Sequence, residues 1–82
     1  MNKTELRFLI ITELENIAPE IEGEPIPEEQ DIREAVELDS MDFLNLVIAV
    51  SKQTKVTIPE IDYPQVLTLN SMINYLFTKL NE

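Results

Sequence analysis

Apolar residues along the chain fall into three stretches with helical spacing. In the first, Leu6, Ile10, Leu14 and Ile17 recur every three or four residues, predicting a helix from about Lys3 to Ala18 with one core-facing stripe. Asn2, with Glu5 three residues on, has the form of a capping box, and Pro19 stops the helix. The second stretch has the sharpest start: Asp39 in the N-cap position, Asp42 at the third helical position, and Leu38 placed to staple against Phe43. Ser40 then takes the first helical position. Met41, Phe43, Leu44, Val47, Ile48 and Ser51 predict a broad apolar face running to about Lys52, and lysines at 52 and 55 suit the negative end of the helix dipole. In the third stretch Thr68 can cap a helix whose stripe is Leu69, Met72, Ile73, Leu76 and Leu80.

Between these stretches the chain is punctuated by breakers. Pro19, Gly23, Pro25 and Pro27 predict a long connection reaching Glu37, with at most a helical turn after Pro27, pinned down by Ile21, Ile26, Ile32 and Val36. Val56 to Ile58 is β-prone but has no second strand to pair with, so it is expected as an extended linker. Pro59 suits the first turn of a short helix through about Tyr63, bent or ended by Pro64. The expected fold is all-α: a small four-helix bundle, three longer helices plus one short helix, with a long first loop and residues 1–82 as a single domain.

Composition narrows the function classes. A chain of 82 residues buries about 60–65% of the surface it exposes when unfolded, which disfavours a deep enclosed active site. A hydrophobic fraction of 44% supports folding despite a net charge of −10. There is no cysteine, hence no disulfide framework, and the apolar run Phe8 to Ile11 is too short for a signal core or membrane span; a cytoplasmic setting is expected. The charge is uneven. Residues 20–42 hold ten acids against Arg33 alone, a net −9, whereas residues 43–82 balance. Nucleic acid, which needs a basic footprint, is a poor partner; the acids either meet basic protein surfaces or merely solvate the loop.

The inventory for catalysis is thin, with no histidine, cysteine or tryptophan. Ser40 beside Asp39 lacks a neighbouring base to activate its hydroxyl. The run Asp31 to Asp42 places Arg33 and Ala35 where a calcium loop needs ligands and has no central glycine, so no metal is expected there. What remains is a serine in the first turn of a helix. It is either an ordinary helix-start residue or a modification site, where a phosphodiester would meet unpaired backbone N–H groups and the positive dipole end.

The segment Asp31-Ile32-Arg33-Glu34-Ala35-Val36-Glu37-Leu38-Asp39-Ser40-Met41-Asp42 resembles the stretch of acyl carrier proteins that runs from the first loop into the second helix. Lys55-Val56-Thr57-Ile58-Pro59-Glu60 and Leu67-Thr68-Leu69 with the final helix resemble the rest of that family, so the likeness spans nearly the whole chain. The resemblance implies a four-helix carrier, itself no catalyst, whose Ser40 receives phosphopantetheine from coenzyme A through a magnesium-dependent phosphopantetheinyl transferase acting in trans. The arm's thiol then carries acyl groups as thioesters. Asp39, Met41 and Asp42 are the implied recognition residues. The implied partners, besides the transferase, are acyl-activating, acyl-transfer or ketosynthase-type enzymes with basic docking surfaces, and the carrier is implied to be a monomer without membrane insertion. Two departures stand out. Glu37 replaces a glycine common among relatives, and Asn45, Ser51, Lys52 and Gln53 occupy a helix that is glutamate-rich in fatty-acid carriers. They point to a specialised lipid or secondary-metabolite pathway. The alternatives are an aminoacyl or peptidyl carrier, or an unmodified acidic helical module that binds proteins.

Overall fold

Asn2 opens the first helix as a reciprocal cap: its side chain accepts the Glu5 N–H at 2.8 Å, and the Glu5 carboxylate accepts the Asn2 N–H at 3.0 Å. The computed structural model describes all of residues 1–82, and α1 spans Lys3–Ile17. Leu6, Ile10 and Leu14 are fully buried, and Ile17 packs at the edge of the same core. Pro19 ends the α-helix but not the coil, because a 3₁₀ turn, Pro19–Ile21, follows directly.

The long connection is anchored rather than loose. Ile21, Ile26, Ile32 and Val36 are all buried, as their apolar character predicted. A single turn, α2 (Ile32–Ala35), is capped by Asp31, whose side chain accepts the Arg33 N–H at 2.9 Å. Backbone bonds from Ile32 N–H to the Leu67 carbonyl (2.7 Å) and from Asn70 N–H to the Glu28 carbonyl (3.0 Å) tie the loop to the start of the last helix. Glu28 also pairs with Arg7 of α1.

The second long helix, α3 (Ser40–Thr54), buries Phe43, Leu46, Val47, Val50 and Thr54. This corrects the predicted face: Leu46 and Val50 are fully buried, whereas Met41 and Ile48 are 64% and 54% exposed. The run from Phe43 to Val50 is apolar except at Asn45, so its periodicity does not single out one face. Packing against α1 makes that choice. After α3 the chain runs outside any helix or strand through Val56 and Ile58, both buried. It then forms a 3₁₀ helix, Glu60–Val66, that contains Pro64 and runs past the predicted end at Tyr63. Proline's fixed φ is compatible with the tight coil, and only its missing N–H interrupts the bonding.

Thr68 caps α4 (Leu69–Leu80), accepting the Ser71 N–H at 3.0 Å while the Ser71 hydroxyl accepts the Thr68 N–H at 3.1 Å. Leu69, Met72, Ile73 and Leu76 enter the core, and Leu80 lies at the frayed edge, 36% exposed. α1 packs on both α3 and α4, the 3₁₀ helix packs on α4, and 21 buried residues form one hydrophobic cluster. The architecture is the expected all-α bundle, its short fourth helix being 3₁₀ rather than α.

Candidate functional site

The approach to Ser40 is set by how α2 ends. Leu38 N–H donates to the Arg33 carbonyl at 2.9 Å, closing the turn around Glu37, which adopts a left-handed φ of 55°. Val36 and Leu38 are buried on either side of it, so the reversal is held from below. Asp39 emerges extended, its carboxylate accepting the Asp42 N–H at 2.8 Å and its carbonyl accepting the Phe43 N–H at 3.0 Å.

These bonds leave the N–H groups of Ser40 and Met41 without an acceptor in the chain, at the positive end of the α3 dipole. The Ser40 side chain is exposed and its hydroxyl makes no internal hydrogen bond. Asp39 is exposed and spends one oxygen on the cap, while Asp42 is half-buried. Met41 projects into solvent, which removes core packing as its role.

Beside Ser40 lies an open groove of about 540 Å³ between Arg33 of α2, Met41 and Leu44 of α3, and Tyr63 and Pro64 of the 3₁₀ helix. Its apolar floor is stiffened by Phe43 and Tyr63, whose rings meet edge to face at 6.3 Å and 82°. Arg33 is the groove's cation. Its guanidinium stands 5.7 Å from the Phe43 ring centre and donates to Asp31 at 2.7 and 3.1 Å. That side-chain hydrogen bonding holds the Asp31 carboxyl below its usual range and raises the Arg33 pKa, so both stay ionised around neutrality. Glu60 is the one carboxylate lining the groove. The arrangement suits an extended group of mixed polarity, tethered at the rim and carrying negative charge at its root. The structure sets the expected residues Asp39, Ser40, Met41 and Asp42 at the cap and first turn of α3, and sequence reasoning missed the groove beside them. Arg33 stood out only as a lone base, and no spacing signal shows that residues 60–67 return to α3.

A family model described as the phosphopantetheine attachment site matches residues 10–76. The match takes in the approach loop, Ser40, α3, the 3₁₀ helix and most of α4. No curated protein and no solved structure matches the chain. Domains of this family are carriers that hold a phosphopantetheine prosthetic group covalently and interact with transferases and biosynthetic enzymes. With most of its length inside the match, the chain belongs to the phosphopantetheine attachment-site family.

Proposed function

We propose that this protein is an acyl carrier protein that bears phosphopantetheine on Ser40 and delivers acyl thioesters to partner enzymes in a specialised lipid or secondary-metabolite pathway. The observation that carries the reading is an exposed serine hydroxyl in the first turn of α3, beside two unpaired N–H groups and inside the matched region. The residues fit the group. Ser40 Oγ would hold the phosphodiester, the N–H groups of Ser40 and Met41 would face its charge, Arg33 would offset part of that charge, and the groove would take the arm. When bound, the group supplies a terminal thiol and with it thioester chemistry, which a cysteine-free chain lacks.

The aspartate before Ser40 and the net charge of −10 favour an acyl over a peptidyl cargo. The exposed Asn45 and Lys52 on α3 favour a specialised pathway over general fatty-acid synthesis. Asp39, Met41 and Asp42 are the residues proposed to be read by the transferase and later partners. The chain itself is a carrier and not a catalyst in this reading, and a cytoplasmic setting suits its cysteine-free composition.

Incubation with coenzyme A, magnesium and a broad-specificity phosphopantetheinyl transferase is expected to add one phosphopantetheine, located on Ser40 by peptide mass mapping. Ser40→Ala should abolish the addition while changing stability by about 0.5 kcal/mol or less, as for most exposed sites. Modification at Ser51 or Ser71 instead would overturn the assignment. The intact mass of natively expressed protein then separates an acyl from an aminoacyl thioester.

A further inference from the structure

Four of the six cationic side chains are engaged within the fold. Arg7 pairs with Glu28, Arg33 with Asp31 and Lys79 with Glu82, and Lys3 stands over the Phe77 ring. Lys52 and Lys55 are exposed and pair with nothing, in a protein of net charge −10. They stand at the far end of a line that begins beside Ser40. Met41, Asn45, Ile48 and Lys52 follow one another at three- and four-residue spacing and so share a face of α3 with Leu44 beside them, and Lys55 extends it just past the helix end.

This line is free of acids, and its part nearest Ser40 is apolar except at Asn45. Met41 and Ile48 are 64% and 54% exposed, and Asp42, the one acid within α3, lies about a quarter-turn away from Met41. Ile61, in the 3₁₀ helix that walls the groove, is 85% exposed three residues before Pro64, which lines it. A cation near the end of α3 would offset the helix dipole. That accounts for one lysine but not for two, nor for the exposed methionine and isoleucine in line with them.

We propose that Lys52 and Lys55 dock onto a carboxylate patch on the enzyme that processes the carrier's cargo, while Met41 and Ile48 fill an apolar socket between that patch and the active-site entrance. The proposal rests on the carrier reading of Ser40. The rise of α3 places Lys52 about 16 Å from Met41, so the enzyme's acidic patch lies about that far from the socket. Charges at such a rim set association rate and partner choice. The basic surface expected of a partner meets the acids around Ser40, and the acidic patch distinguishes this partner from one built for a glutamate-rich helix.

The probe is a ketosynthase that docks carriers through lysines and arginines, used alongside a variant in which those facing the end of α3 are replaced by glutamate. Wild type, Lys52→Glu/Lys55→Glu, Ile48→Asn and the remote control Phe8→Ala, at a site 75% exposed on α1, are first loaded to completion and checked by mass and thermal melting. Wild type is expected to bind the glutamate variant at least about fivefold more tightly than the double-lysine variant does, with the order reversed on the parent enzyme and both gaps narrowing in high salt. Ile48→Asn should weaken binding to both enzymes. The same ranking on both enzymes, or a loss in Phe8→Ala as large as in Ile48→Asn, overturns the docking proposal. Failure to load Ser40 overturns the carrier reading instead, and the mass shows it before any binding is measured.

Discussion

Glu37 holds a left-handed backbone at φ 55°, at the point where the chain leaves α2 and turns into the cap of α3. For a residue with a Cβ this conformation costs about 1–2 kcal/mol, whereas glycine adopts it freely but gives up about 0.5–1 kcal/mol of unfolded-state entropy. Glu37→Gly should therefore stabilise the fold by a net of about 0.5–1 kcal/mol, a rise of roughly 2–8 °C in Tm for a domain of this size. Glu37→Gln keeps the strain and removes only a charge, so its effect should stay within about 0.5 kcal/mol. Equal gains from Gln and Gly would show that charge, not backbone conformation, is the cost at this position. The residue that departs from the glycine common among acyl carrier proteins thus sits where glycine's freedom matters, three residues before Ser40.

The 3₁₀ helix walls one side of the groove and packs on α4, so what fastens it to α4 bears on the site's shape. One such tie is the Tyr75 hydroxyl, which donates to Asp62 at 2.7 Å. Burial, together with the Asp62 hydrogen bond and charge, pushes the phenol up to about 12. The folded state therefore holds this proton more tightly than the unfolded chain. The resulting stability is fully present below the unfolded value near 10 and is lost as pH rises towards 12. Tyr75→Phe removes the hydrogen bond and should cost about 1 kcal/mol at neutral pH. Its deficit against wild type should shrink between pH 10 and 12 in denaturant unfolding followed by circular dichroism. A deficit constant across that range would mean that Tyr75 contributes by packing alone.

At the scale of the molecule, electrostatics is one-sided. The net −9 of residues 20–42 lies along the connecting loop and the start of α3, and two ion pairs reach it, Arg7 with Glu28 and Arg33 with Asp31. Neither offers much relief, since Arg7 and Glu28 are about half exposed and Arg33 is similarly open. Self-repulsion should destabilise the compact state, and moderate sodium chloride, by screening it, should raise Tm. A Tm insensitive to salt would mean that the acids are too well solvated to repel. Partner binding should respond in the opposite sense, because the same screening weakens attraction to basic surfaces.

Local chemistry was enough to determine the helix starts. Asn2 and Asp39 cap where their spacing to Glu5 and Asp42 indicated, and Thr68 caps as its place before the last apolar stripe indicated, because a cap needs only a side chain and an amide three residues on. The apolar stripes of α1 and α4, the bundle class and the position of Ser40 in the first turn of α3 follow from that same short-range order. Tertiary packing decided the rest. In α3 the apolar residues nearly surround the axis, so only contact with α1 could choose Leu46 and Val50 for the core and leave Met41 and Ile48 on the surface. The groove depends on residues 60–67 returning to α3 and on Arg33 reaching across Phe43, juxtapositions between different elements that no local periodicity encodes. The isolation of Lys52 and Lys55 is likewise a fact of the folded state, because a lysine's partners are known only once every acid has its place.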